Sequence, residues 1–134
     1  MKKLTIKEQK LKLLEETVAY YEQDPSRRAI YDDGRCAYRI KCEDGTVKKC
    51  AVGRLIPDHQ YDSSIEGYTV EDLYNEEEML HKVLPKKYSK LGYKFLNSLQ
   101  KLHDFDNYWT GLSAAEKRSG IVEVIKNSIL IGVI

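Results

Sequence analysis

Leu11, Leu14, Val18 and Tyr21 recur three and four residues apart, and Leu4 stands one heptad before Leu11. That spacing predicts an apolar stripe on a helix over about 6–23. Thr5-Ile6-Lys7-Glu8 matches a capping box at its start. Asp24-Pro25 ends it, because the residue before a proline is pushed out of the helical region. Tyr88, Leu91, Phe95, Leu99 and Leu102 form a second stripe, predicting an amphipathic helix over 86–104 with most of its lysines off the stripe. A shorter acidic helix over 70–80 starts from Thr69 and is broken at Leu84-Pro85. Ser113-Ala114-Ala115-Glu116 reads as another capping box, opening a helix over 114–127 with Ile121, Val124 and Ile125 inward.

Between these helices the period changes. Residues 36–52, CAYRIKCEDGTVKKCAV, alternate, and Asp44-Gly45 is a strong hairpin signal. The pattern predicts strands over 36–42 and 47–53. A two-residue loop sets Cys36 opposite Gly53 and Cys50 opposite Arg39. In that register Cys36 and Cys50 point to opposite faces and no disulfide joins them. A three-residue loop would put both on one face. Gly53 suits a close backbone approach, and Pro57 stops the ladder. The closing SILIGVI reads either as a third strand at the C-terminus or as an apolar tail docked on the core. The expected fold is α+β: a single small domain, residues 1–134, with about four helices packed on a β-hairpin.

Composition limits the classes of function. The 134 residues carry a net charge of +1, with 42% hydrophobic and 32% charged residues, an ordinary balance for a soluble domain. No apolar run approaches the roughly 18 residues of a membrane span. MKKLTIKEQK has the basic start of a secretion signal without the apolar stretch that follows one. A cytoplasmic location is expected, and no membrane partner. Three cysteines, an odd number, fit reduced thiols. The near-neutral total conceals blocks. Residues 55–80 hold eight acidic groups and no Lys or Arg, whereas residues 81–103 hold six lysines and no acid. Such blocks either neutralise one another in the fold or present an acidic face and a basic face to partners.

Candidate chemistry gathers in CAVGRLIPDHQYDSSIEG, residues 50–67. As a thiol-dependent hydrolase, Cys50 needs a base such as His59 or His103, yet no nucleophile signature surrounds it. As zinc ligands, Cys36, Cys42, Cys50 and His59 lack the close pairs of structural zinc sites, so no metal and no cofactor is expected. Asp58, Asp62 and Glu66 recur every four residues, without a calcium-loop pattern. Arg27, Arg28, Arg35, Arg39 and Arg54 lie near Tyr20, Tyr21, Tyr31 and Tyr38. Arginine pairs with phosphate and tyrosine stacks on bases, and ten tyrosines are many for this length. The glycine-rich phosphate loops are absent.

The run Cys36-Ala37-Tyr38-Arg39, then Gly45, Cys50-Ala51-Val52-Gly53-Arg54-Leu55-Ile56-Pro57-Asp58, Tyr61 and Glu66-Gly67 resembles a group of short uncharacterised phage and prophage proteins. Their pattern is C-x-Y-R…G-x-x-C-A-V-G-x-L-I-x-D-x-x-Y…E-G. Leu99 to Asp104 and Trp109 are also similar to that group, whereas Cys42 lies outside the pattern. The resemblance spans about residues 36–112 and brings no activity or cofactor with it. It implies a viral setting in which small proteins bind and neutralise host factors or signals.

The expected function is therefore a small non-enzymatic binding protein that sequesters or blocks a host component, in the host cytoplasm if phage-encoded. Its expected ligand-binding residues are Arg35, Tyr38, Arg39, Arg54, His59 and Tyr61, facing an anionic small molecule such as a nucleotide signal. A host protein would be met by Asp58, Glu66, His103 and Trp109, the last two closing over the exit of the hairpin. Nucleic acid is the less favoured partner, and a homodimer is allowed. The rivals are the thiol hydrolase using Cys50 and His59 and a structural or assembly protein.

Overall fold

The computed structural model describes residues 3–76 and 78–134. Helix α1 spans Ile6–Gln23 and starts from a formed capping box. The Thr5 hydroxyl accepts from Glu8 N, and the Glu8 carboxylate accepts from Thr5 N. Leu14 and Tyr21 of its stripe are fully buried, with Leu11 and Val18 partly so. The hairpin follows, with β1 Arg39–Lys41 antiparallel to β2 Val47–Lys49. Helices α2 Val70–Asn75, α3 Met79–Val83, α4 Lys86–Ser89, α5 Tyr93–Asp104 and α6 Ala114–Leu130 complete the chain. Helix α2 packs on α5, and α6 packs on both α1 and α5. One continuous core joins Leu14 and Tyr21 of α1 to Cys50, Leu73, Phe95 and Ile129. The fold is a small α+β domain, and no helix among the described residues is long and apolar enough to cross a membrane.

Four expectations are corrected. The strands are shorter than 36–42 and 47–53. Cys36 instead bridges Ile30, and beyond Cys50 the chain winds into a 3-10 turn, Gly53–Leu55. The hairpin loop has three residues rather than two: Arg39 faces Lys49, Lys41 faces Val47, and Cys42 N donates to Thr46 O at 2.8 Å. Asp44 holds the loop by accepting from Thr46 N and Oγ1. The helix expected over 86–104 breaks at Gly92, whose φ of 89° is left-handed and opens to glycine at little steric cost. The helix expected over 70–80 stops at Asn75, where the acidic run from Glu76 opposes the negative end of the helix dipole.

The C-terminus forms no third strand. Ser128, Ile129 and Leu130 extend α6, and the chain then closes in a Schellman motif. Gly132 N donates to Ile129 O and Val133 N to Ser128 O, with Gly132 at φ 83°, the glycine stop that such motifs favour. Ile134 packs against the core, and Lys7 and Lys10 donate to Leu130 O and Ile134 O. Two smaller differences lie in α6. Ser113 makes no side-chain cap, and Val124 is exposed instead of inward.

Candidate functional site

The loop after the hairpin is tied back by one carboxylate. Glu66 Oε1 accepts from Tyr38 N at 2.8 Å, and its Oε2 accepts from Arg39 N at 3.1 Å and from the Tyr61 hydroxyl at 2.6 Å. Glu66 thus takes the place of a neighbouring strand for two consecutive amides. Arg39 adds a second tie. It donates to Asp58 and to Ile56 O, and stacks over the Tyr61 ring at 4.5 Å. Burial, followed by the Glu66 carboxylate, raises the Tyr61 hydroxyl above its ordinary pKa. Arg39, Asp58, Tyr61 and Glu66 do converge and hold one another, with the buried Arg39 Nε left without a hydrogen-bond partner among the described residues. They form a latch holding residues 58–67 onto the start of β1.

The remaining arginines are likewise occupied within the chain. Arg54 pairs with Glu16 and lies 3.7 Å over the Tyr20 ring. Arg35 pairs with Asp33 and lies over Tyr31. Arg27 donates to Tyr20 O and Gln23 while stacking on Tyr20. The arginines and tyrosines noted in the sequence therefore recognise each other, Arg27 and Arg54 on the shared Tyr20 ring and Arg35 and Arg39 on Tyr31 and Tyr61. Tyr38 is buried, with its hydroxyl donating to Tyr68 O. His59 is exposed on a turn.

His103 and Trp109 lie inside the molecule rather than on a partner-facing surface. His103 is fully buried. Its Nε2 accepts from Ala29 N at 3.1 Å and its Nδ1 lies 2.7 Å from Asp104 Oδ1. The first contact fixes the proton on Nδ1, so the neutral ring donates to Asp104. Burial lowers its pKa against the raising effect of Asp104. Trp109 Nε1 donates to Leu102 O at 2.7 Å. Arg28, also buried, donates from Nε to His103 O at 2.8 Å and pairs with Asp106. Its cation caps the carbonyl end of α5, where positive charge is favoured. No local sequence pattern marks this role, because it joins residues 75 positions apart.

All three thiols are free. Cys50 is fully buried, and its Sγ accepts from Gly53 N at 3.2 Å. Burial pushes it up to about 12. Cys36 is an exposed residue whose thiol is also raised to about 12, first by desolvation and then by the neighbouring Asp104. Neither is poised as a thiolate near neutral pH. No His approaches Cys50 Sγ within hydrogen-bond reach, and no metal-ligating cluster exists among the described residues.

Outside the core the charge blocks stay apart. Lys82, Lys86, Lys87, Lys90, Lys94 and Lys101 are exposed. Among the described residues none of them pairs with a carboxylate within 4.0 Å; of residues 55–76 only Asp58 forms ion pairs, with Arg39 and Lys49. The fold and site define a small α+β domain with its polar interior largely satisfied and its charges held outward. No family model matches the chain, and neither the curated proteins nor the solved structures contain a significant match to it.

Proposed function

We propose that this chain is a small non-enzymatic binding protein of phage type, which blocks a host protein by docking its lysine surface on an acidic patch. The observation that carries this reading is the set of six exposed lysines between Lys82 and Lys101, none of which pairs with a carboxylate among the described residues. Capture of a nucleotide signal by the arginine and tyrosine set is less well supported, because those guanidinium groups are already held by Asp33, Asp58, Glu16 and backbone oxygens. The thiol-hydrolase reading loses support from the burial of Cys50 and from the lack of any hydrogen bond between its thiol and an imidazole among the described residues.

Capture from a host extract, with and without nuclease, tests the proposal against a variant carrying Lys86→Glu, Lys87→Glu and Lys90→Glu. A protein retained by the native chain, lost with the variant and indifferent to nuclease supports it. Retention that survives the charge reversal, or that nuclease abolishes, overturns it. The assembly reading has one observation on its side: Val124, Leu130, Ile131 and Val133 expose apolar surface at the end of α6. Light scattering that shows mass rising with concentration would favour that reading instead.

A further inference from the structure

A cleft of about 320 Å³ opens between the approach to β1, the loop at 67–70 and the outer side of α5. Its volume lies at the small end of ligand-binding pockets. Ala37, Tyr38, Cys50 and Val70, all buried, give it an apolar floor. Its polar wall comes from one helix. Asn97, Lys101 and Asp104 follow at four- and three-residue spacing, which places them on one face of α5.

The wall has unused capacity. Asp104 Oδ1 accepts from Gln100 Nε2 at 2.8 Å and from His103 Nδ1 at 2.7 Å, which fixes the carboxylate; Oδ2 accepts from no N–H or O–H of the described residues, and the Cys36 thiol at the edge of the cleft is the one weak donor beside this carboxylate. The Asn97 amide is half-buried, and no side-chain hydrogen bond of the described residues uses it. Lys101 is exposed at the rim and forms no ion pair among the described residues, not even with Asp104 three residues along. A cation and a carboxylate thus share one small cleft without neutralising each other. An oligophosphate is disfavoured there, because a single lysine stands beside a carboxylate. The complementary molecule carries one anionic group, one N–H donor and an apolar body.

From this arrangement we infer that the cleft is a binding site for a small zwitterion of the apolar α-amino-acid class. The carboxylate of the ligand meets Lys101, its ammonium meets Asp104 Oδ2, Asn97 supplies a further hydrogen bond, and the side chain lies on the floor. This site is independent of the lysine surface invoked for partner docking, apart from Lys101 itself.

Amide chemical shifts of the full chain, followed while L-leucine, L-methionine or L-phenylalanine is added, test the inference. The expected result is saturable shifts at Tyr68, Thr69 and Gln100. The N-acetyl and carboxamide forms of the same amino acids should bind about two- to fivefold more weakly, the range of one exposed ion pair. Lys101→Ala should remove the preference for the free acid over the carboxamide, and Asn97→Phe should abolish the shifts by filling the cleft. The same spectra report whether each variant is folded. If Asn97→Phe does not fold, the exposed Lys101→Ala decides alone. Absence of saturable shifts with all three amino acids, or a preference for the free acid over the carboxamide that Lys101→Ala leaves intact, overturns the inference.

Discussion

Glu66 accepts three donors, two of them consecutive backbone amides, and no neighbouring strand is available to take them. A half-buried amide left without an acceptor costs about 1–3 kcal/mol. Glu66→Ala should therefore lower stability by about 2–4 kcal/mol, read as the urea midpoint, while Glu66→Gln, which keeps one acceptor oxygen, should lose about half of that. Equal midpoints for all three proteins would mean that the latch contributes nothing. The sequence makes one neighbour of this latch legible and hides the other. Gly53 reads as a point of close approach, and a Cβ there would lie 2.1 Å from Tyr38 O. The role of Glu66 is hidden, because an acidic residue in a polar loop looks the same whether it is solvated or holds a strand 28 positions earlier.

Elements whose boundaries are set by local chemistry are readable, and those set by tertiary contact are not. Thr5 with Glu8 and Asp24 with Pro25 delimit α1 as expected. Gly92 interrupts a stripe that remains apolar on both sides, so periodicity alone runs through the break. The apolar residues of SILIGVI suit a strand as well as a helix, and only the Gly132 stop decides between them. The junction of α5 with the segment before β1 is wholly non-local, and it makes stability depend on pH. His103 is neutral where Ala29 N and Asp104 hold it, and burial depresses its pKa below the unfolded value of about 6.5. The unfolded chain then binds more protons as pH falls. The stability that the neutral ring contributes is complete above about 6.5 and is lost as pH drops toward the lowered folded value. Burial, the largest effect, and Arg28 both oppose protonation, and together they outweigh Asp104, which favours it. The urea midpoint should fall between about pH 7 and pH 5, and His103→Gln should be weaker throughout but flat over that window. Asp24, Asp33, Asp44 and Asp62, whose pKa values lie below 3.8, act only at lower pH. An unchanged slope in His103→Gln would place the titration elsewhere.

At the scale of the whole molecule, polar residues that look free in sequence are spent inside, while the six lysines from Lys82 to Lys101 pair with no carboxylate of the described residues. Arginine and tyrosine are rigid enough to satisfy one another at short range, so their abundance signals internal pairing as readily as recognition. Lysine on a flexible stem gains little from a surface pair, and a run of six without acids leaves none next to it in sequence. What holds this arrangement is one core, and Cys50 is a buried probe within it, beneath the floor of the cleft. It touches both the hairpin and the turn at Gly53, and no solvent reaches it. If the hairpin and the helices form one cooperative unit, Cys50 is exposed only by global opening. Its alkylation rate should then rise with urea along the same slope as loss of far-ultraviolet circular dichroism, and the two measurements should give the same unfolding free energy. Glu66→Ala should accelerate that alkylation in proportion to its loss of stability. The expected alternative signature is a Cys50 rate independent of urea at low concentrations and unaffected by Glu66→Ala. That result would mean the thiol is reached by a local fluctuation, with the hairpin opening separately from the helical body.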